Sequence, residues 1–186
     1  MTPPEYPIAK MLHAIEDLIV AYPKAAMFEL RESGYDSLFE QLVSCIISIR
    51  TLDETTIPVS LRLFEKARTP EAVAALGREP LADLLYGSTF PGQKADAILA
   101  VAAVARANDG LLPQNFEALT AIKGVGPKCA NLALGVALGV PAISVDVHVH
   151  RVVNRWGLVQ TATPEKTLQA LEKIVPQTAG LILTAT

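Results

Sequence analysis

Two residues, Lys128 and Asp146, have types and surroundings that suit bond-breaking chemistry on an anionic substrate. Lys128 follows the tight segment KGVGP at 123–127 and lies in the first turn of a predicted helix. The positive end of a helix dipole, together with partial burial, disfavours an ammonium group and favours the neutral amine. A neutral amine is a nucleophile that can form a Schiff base. A surface lysine that only contacts phosphate is the alternative interpretation.

Asp146 follows Lys128 by 18 residues (146 − 128), and a helix with a short return loop can bring the two together. Its neighbours in sequence are mostly apolar, and a carboxylate in such surroundings is costly unless partners stabilise it. Lys128 or the N–H groups of a helix start would supply such partners. An aspartate that caps the helix following it is the alternative, and capping is compatible with catalysis.

The segment LTAIKGVGPKCAN at 119–131 predicts a helix-hairpin-helix motif. We expect Gly124 and Gly126 to take positive φ, and Pro127 suits the start of the second helix. Backbone N–H groups that converge at this helix start, with the helix dipole, form a site for a phosphate. Such contacts position a nucleic-acid backbone without reading its sequence. An ordinary helix–helix turn is the alternative.

The charge distribution favours an anionic partner near this motif, although the whole chain carries a net charge of −3. Residues 119–156 contain four basic residues and one acid, a local charge of +3, which leaves −6 for the remainder (−3 − 3). The local field matters more than the total charge for steering an anion.

The hydrophobic pattern predicts an all-α chain. We expect helices over residues 8–19, 38–47, 53–66, 93–108, 115–122, 128–138, 146–156 and 164–174, with shorter ones from 70 and 79. Asp53 or a neighbouring threonine is expected to cap the helix over 53–66. The alternation over 142–149 would suit a strand. A lone strand has no partner, so we expect an extended segment followed by a helix.

Composition excludes several classes of protein. With 51% hydrophobic and 19% charged residues, the chain is not of a disordered type. Its two cysteines, Cys45 and Cys129, are too few for a disulfide scaffold or a four-ligand metal site, which predicts a reducing, intracellular location. We expect neither a targeting segment nor a membrane span. The uncharged run 129–145 is shorter than the ~20 residues that a span needs, and we expect a buried helix ending near Gly139.

The hairpin and the segment after it closely resemble the endonuclease III branch of the helix-hairpin-helix (HhH-GPD) DNA glycosylases. The family pattern, L-x-x-[IL]-x-G-V-G-x-K-T-A-N and then V-D-x-H-V-x-R-V, is matched at 119–131 and 145–152. SIRTLD at 48–53 is similar to the family's S-x-[QR]-T-x-D, and Lys94-Ala95 also match. The resemblance extends from about Arg31 to Pro176. It implies two helical lobes flanking a groove, one over 26–140 and one formed by 1–25 with 141–186.

The resemblance also implies a role for individual residues. Lys128 matches the nucleophile and Asp146 the essential aspartate. Arg50 matches the residue that fills the gap left by a flipped nucleotide, and Ser88, Thr89 and Phe90 lie where the family carries a wedge into the duplex. The other residues expected to bind DNA are Lys123, Gly124, Val125, Gly126, His148 and Arg151. His13 and His150 receive no role, and we expect Trp156 to pack in the protein.

The function implied is that of a base-excision repair DNA glycosylase with AP-lyase activity. It would remove oxidised pyrimidines such as thymine glycol and nick abasic sites by β-elimination through a lysine Schiff base. The implied partner is double-stranded DNA, bound by a monomer in the cytoplasm, with nucleoid association in a bacterium or archaeon. Two alternatives stay open. A monofunctional glycosylase would use water in place of Lys128, and a non-catalytic DNA-binding protein would not need Asp146.

The chain departs from the family pattern at two points. Cys129 replaces a threonine, and we expect it to be a buried packing residue. The family's C-x6-C-x2-C-x5-C segment, which ligates a [4Fe–4S] cluster, has no counterpart after Cys129. Because such a cluster needs four thiolates, we expect this chain to hold no cluster, and the implied chemistry needs no metal or other cofactor.

Overall fold

A computed structural model describes residues 24–141 and 143–175, and before them residues 10, 14, 15, 17, 18, 21 and 22. The regular structure in this described part is helical, without a strand, so the all-α prediction is confirmed. Of the helix predicted over 8–19, the structure describes residues 10, 14, 15, 17 and 18, which are helical. The rest of that helix, with His13, lies outside the described residues.

Residues 25–138 form one compact unit. Its helices are α1 (Ala26–Glu32), α2 (Leu38–Ser48), α3 (Asp53–Lys66), α4 (Pro70–Leu76), α5 (Arg78–Leu84), α6 (Pro91–Arg106), α7 (Phe116–Thr120) and α8 (Pro127–Leu138). The central helix is α2, which packs against α1, α3, α6 and α8. Because all its residues from 38 to 47 are buried, α2 supplies much of the apolar core, including Leu42, Ile46 and Ile47.

Side chains close to the helix starts in sequence explain most of the boundaries in this unit. Ser37 and Glu40 form a reciprocal capping box at the start of α2. The Thr69 hydroxyl accepts a hydrogen bond from the N–H of Ala72, 3.3 Å away, and Pro70 is the first residue of α4. These local signals are visible in the sequence, and the predicted helix start at Thr69-Pro70 is confirmed.

The helix α1 was not expected, and the reason is a contact from far along the chain. No side chain next to α1 caps its N-terminus; the Asp53 carboxylate accepts the N–H of Ala26 at 3.0 Å, across 27 residues. The prediction that Asp53 or a threonine caps α3 is therefore wrong. The N-cap of α3 is Leu52, which makes no side-chain cap, and Asp53 stabilises α1.

The second compact unit contains the described residues of 1–24 and 139–186. Residues 143–146 are neither helical nor in a strand, and they lead into α9 (Val147–Arg155), which is followed by α10 (Pro164–Ile174). This unit has its own apolar cluster, formed by Ile143, Val145, Val149, Val153, Val159, Leu171 and Val175. The helix predicted after this segment is confirmed, and Asp146, its N-cap, has an extended backbone. The groove between two lobes stays a prediction.

The uncharged run 129–145 behaves as predicted for a buried helix. Its first part belongs to α8, whose residues 129–136 are buried, and Gly139 follows the helix with φ of +67°. No helix in the described residues combines the length and the apolar character that a membrane crossing requires.

The long-range cap at α1 gives a stability prediction. Replacing Asp53 by Ala removes the acceptor for the Ala26 N–H, and we expect the free energy of unfolding to fall by about 1 kcal/mol. Asp53→Asn keeps an oxygen acceptor and should recover most of that loss. Urea unfolding followed by circular dichroism measures both changes. Equal unfolding free energies for Asp53→Ala and the unchanged protein would contradict this assignment.

Candidate functional site

The predicted hairpin lies between α7 and α8, and only one of its two glycines is required by the backbone. Gly124 has φ of +90°, and a Cβ built there would lie 2.5 Å from the Cβ of Ala97 on α6. Gly126 does not have positive φ, and a Cβ there would meet nothing within 4 Å. The expectation of positive φ at Gly126 is therefore wrong, since Gly124 alone makes the reversal.

The start of α8 presents polar groups outside the core. The side chains of Lys123 and Lys128 are exposed, as is Gly126, while Val125 is buried and its N–H donates to the Ile122 carbonyl at 3.0 Å. The partial burial expected for Lys128 is wrong, because the first turn of α8 leaves it exposed. The N–H groups in the first turn of a helix lack intrahelical acceptors, so this turn has the polarity that favours an anion.

The residue after Lys128 points into the core. Cys129 is buried, and its Sγ lies 2.7 Å from the Sγ of Cys45 on α2. The hydrogen bond with Cys45, together with burial, raises the pKa of Cys129 well above its usual value. The expected packing role of Cys129 is confirmed. The pair joins α8, which carries Lys128, to the central helix α2.

Asp146 is the N-cap residue of α9. Its Oδ1 accepts the N–H groups of His148 and Val149, both at 2.9 Å, and the residue is half-buried. The capping role considered for Asp146 is therefore present, and it orients the carboxylate at the helix start. Lys128 belongs to the unit 25–138 and Asp146 to the other, so their pairing stays a prediction.

The remaining predicted residues on α9 divide into exposed and structural groups. His148 and Arg151 are exposed and can contact a ligand. The Nδ1 of His150 lies 2.6 Å from the hydroxyl of the buried Thr167 on α10, and its carbonyl accepts the Asn154 amide at 2.7 Å. His150 thus connects α9 to α10 by a hydrogen bond, and its role here is structural.

Trp156 lies at the end of α9 and is partly exposed. It follows the last residue of α9, and its N–H satisfies carbonyls at the end of that helix. The residue is 44% exposed and lies outside the apolar cluster of this unit, and the expectation that Trp156 packs in the protein stays a prediction.

Arg50 and Phe90, predicted from different segments, are in contact. The Arg50 guanidinium lies over the Phe90 ring, 5.3 Å from its centroid, and both residues are exposed. Arg50 has φ of +55° and Phe90 φ of +52°, a conformation that non-glycine residues take at a cost of roughly 1–2 kcal/mol each. We call this exposed pair of contacting residues the Arg50–Phe90 clamp.

A buried lysine connects the two turns. Lys94 on α6 is 4% exposed, and its Nζ donates to the Ile47 carbonyl at 2.6 Å and to the Thr51 hydroxyl at 2.7 Å. The Thr89 hydroxyl lies 3.3 Å from Nζ and donates to the Ile49 carbonyl at 3.0 Å. Sequence reasoning matched Lys94 to the family without giving it a role; a lone lysine in an apolar helical segment was the available signal.

Thr89 and Ser88 differ in what they offer a ligand. Thr89 is exposed and takes part in the connection between the turns. Ser88 is buried, and its hydroxyl donates to the Leu85 carbonyl at 2.8 Å. The Ser88 hydroxyl therefore has a partner within the protein, and the part of Ser88 in DNA binding stays a prediction.

The residues that the structure describes do not fit a metal ion, and the two cysteines of the sequence do not fit an iron–sulfur cluster. Among the described residues, no three His, Cys, Asp or Glu side chains are grouped so that they could hold a metal ion. The two cysteines of the sequence are both buried and lie against each other in the core. A four-thiolate set cannot be formed from them.

Comparisons with known proteins agree on one family. The sequence profile of the HhH-GPD superfamily base excision DNA repair proteins matches residues 43–177. Endonuclease III of Thermotoga maritima is 42% identical over 75% of this chain and 66% of its own length. Endonuclease III of Haemophilus influenzae is 35% identical over 78% of this chain and 69% of its own length. The chain thus spans about two thirds of these relatives.

A solved structure of a trapped endonuclease III–DNA covalent intermediate has a similar fold. It superimposes with a TM-score of 0.79 at 28% identity, covering 95% of this chain and 83% of that chain.

The hairpin geometry predicts opposite outcomes for its two glycines. Gly124→Ala forces a Cβ against Ala97 at a positive φ, and we expect it to lower the free energy of unfolding by about 2–4 kcal/mol. Gly126→Ala, the matched control, should change this free energy by less than about 0.5 kcal/mol. Chemical unfolding of both variants tests the assignment. A Gly126→Ala change as large as that of Gly124→Ala would contradict it.

Proposed function

Because the chain belongs to the HhH-GPD superfamily of base excision DNA repair proteins, we propose that it is a bifunctional DNA glycosylase and AP lyase of the endonuclease III type. Its substrate is double-stranded DNA that contains oxidised pyrimidines such as thymine glycol, or abasic sites. The protein acts as a monomer, in the cytoplasm and on the nucleoid if its source is bacterial or archaeal. It uses no metal or other cofactor for the reaction.

The observation that carries this proposal is the position of Lys128. It is an exposed amine in the first turn of α8, directly after a hairpin whose polarity suits a phosphate. An amine beside a bound DNA backbone is within reach of the sugar carbon C1′ once the nucleotide has left the base stack. The neighbouring Cys129 is buried, which fixes the helix face from which Lys128 projects.

The reaction we assign to Lys128 proceeds in two stages. The amine nitrogen forms a bond to C1′ as the bond between C1′ and the base breaks, and the base leaves with the electron pair and takes up a proton. Loss of the amine proton and opening of the sugar ring give the Schiff base. Removal of a C2′ proton then expels the 3′-phosphate oxygen, which nicks the strand. Water finally hydrolyses the imine and frees Lys128.

Asp146 has an electrostatic role in this scheme. Its carboxylate, fixed by two N–H groups of α9, stabilises the positive charge that develops at C1′ and helps to deprotonate Lys128. The Arg50–Phe90 clamp opens the duplex by placing a guanidinium and a ring where the flipped nucleotide and its neighbours were stacked. Lys123 and the backbone N–H groups of Gly124 and Gly126 grip the phosphate, and His148 and Arg151 add contacts to DNA. Val125 takes part by holding the hairpin in place, since its N–H donates to the Ile122 carbonyl.

Borohydride trapping tests the role of Lys128. On a duplex with one abasic site, the unchanged protein should give a covalent adduct, and Lys128→Ala should lower the trapping rate by about 1000-fold or more. Lys66→Ala, which changes an exposed lysine at the end of α3, serves as the control.

Three other outcomes would contradict this function in different ways. Base release without an adduct indicates a monofunctional glycosylase that uses water. Binding of the duplex without either reaction indicates a non-catalytic DNA-binding protein. Absence of binding by a folded protein overturns the DNA-directed function.

Asp146 variants separate capping from catalysis. Asp146→Asn keeps the cap because asparagine is an equally good N-cap, so the free energy of unfolding should change by less than about 0.5 kcal/mol. Its cleavage rate should fall by about 100-fold or more, since the carboxylate charge is lost. Asp146→Ala should show the same rate loss and, in addition, lose about 1 kcal/mol of stability. Single-turnover cleavage and urea unfolding measure the two effects; full activity of Asp146→Asn would exclude the electrostatic role.

A further inference from the structure

Lys94 is the buried cation that the proposed reaction does not use. Its ammonium group has three donors, and three oxygens lie within hydrogen-bond distance: the Ile47 carbonyl, the Thr51 hydroxyl and the Thr89 hydroxyl. The Ile47 carbonyl belongs to the last turn of α2, where the negative end of the helix dipole favours a cation. Each of the three ammonium donors therefore has an acceptor, although the group is buried.

The three oxygens belong to two segments of the chain, residues 47–51 and residue 89, and the Lys94 ammonium group bonds to both segments. Thr51 follows Arg50, and Thr89 precedes Phe90, so each of the two threonines adjoins one of the two left-handed residues of the clamp. Thr51 and Thr89 also bond to each other, with the Thr89 N–H 3.2 Å from the Thr51 hydroxyl oxygen. Strained backbone persists only where the surroundings hold it, and these hydrogen bonds connect both strained positions to a single ammonium group.

We propose that Lys94 is a positioning residue for duplex opening: its ammonium group holds the Arg50 and Phe90 turns so that both side chains enter the DNA together. This rests on the proposed function. Lys94 does not touch the reacting atoms, and it acts through Arg50 and Phe90. Its removal should therefore slow the opening of paired DNA and leave the chemistry at an already unpaired site unchanged.

The first experiment compares paired with unpaired DNA. Lys94→Met keeps the length of the side chain and removes the ammonium, and Lys66→Met is the matched control on an exposed helix end. Single-turnover borohydride trapping is measured on an abasic site in a duplex and on the same site inside a preformed bubble. We expect Lys94→Met to be about tenfold slower or more on the duplex and unchanged on the bubble.

The pH dependence of opening gives a readout that a purely structural role would not move. Burial lowers the pKa of Lys94 to about 8. The fluorescence of 2-aminopurine opposite a non-reactive tetrahydrofuran site reports unstacking, and it should fall as the pH rises through about 8. A lysine in the unfolded chain has a pKa near 10.4. Between about pH 8 and about pH 10.4, the unfolded chain therefore binds more protons than the folded one. The free energy of unfolding therefore rises with pH over this range, while the opening of the duplex falls.

Other titratable groups near Lys94 can be separated from it. The helices that pack on α6 are α2, α4 and α5, and Cys129 on α8 raises the pKa of Lys94. The charged or titratable side chains on these packed helices are Glu40 and Cys45 on α2, Glu71 on α4, and Arg78, Glu79 and Asp83 on α5. Carboxylates and arginine ordinarily titrate outside pH 7–9.5, which leaves the two thiols. A pH step that survives in Lys94→Met would belong to the thiols and overturn the proposal.

The remaining outcomes are decisive as well. Equal trapping by Lys94→Met and the unchanged protein on the duplex overturns the proposal, as does an equal loss on duplex and bubble. If Lys94→Met does not fold, Thr51→Val removes one acceptor while the ammonium remains, and it should show a smaller loss confined to the duplex. No adduct from the unchanged protein on either DNA instead marks the failure of the proposed function.

Discussion

One face of α6 holds the segments expected to contact DNA in the unit 25–138. Phe90 is the N-cap of this helix, Lys94 reaches the turn that carries Arg50, and Ala97 leaves no room for a side chain at Gly124. Spacings of four and three residues place these positions on one side of a helix. The clamp and the hairpin therefore depend on the same two helical turns, and a shift of α6 would move both.

The strained backbone of the Arg50–Phe90 clamp is held by hydrogen bonds from neighbouring residues. Arg50 and Phe90 are held in a left-handed conformation, which is tolerated because the buried Lys94 forms hydrogen bonds with the segments that carry them. On the other side, the contact between Gly124 and Ala97 fixes where α8 begins, and the buried Cys129 fixes its rotation against α2. A rigid platform of this kind favours a site whose side chains are positioned before the substrate arrives, which reduces the free energy needed to order them on binding.

The sequence predicts what is encoded locally. Capping residues such as Thr69 and Asn115 mark helix starts that the structure confirms, and the apolar pattern of 38–47 corresponds to the buried helix α2. What it misses depends on contacts between distant residues. The cap of α1 comes from Asp53, and Gly124 differs from Gly126 because Ala97 lies beside only one of them.

In the candidate site, too, the sequence predicts local features and misses those that depend on contacts between distant residues. Residue types and spacing identify Lys128 and Asp146 as candidates, and the family resemblance adds Arg50 and Phe90. The structure places Arg50 against Phe90 and Asp146 at a helix start. Exposure could not be inferred from the pattern, so Ser88 was expected to contact DNA although it is buried, and Lys128 to be partly buried although it is exposed. The role of Lys94 depends on oxygens from two segments more than 35 residues apart (89 − 51 = 38), which no local pattern encodes.

The central claim is that the amine of Lys128 forms the covalent bond to DNA. The most direct measurement is to reduce the complex with borohydride on abasic-site DNA, digest the protein, and identify the DNA-linked peptide by mass spectrometry. The account predicts that the modified residue is Lys128. A DNA adduct on Lys94, Lys123 or any other amine of the chain would contradict it.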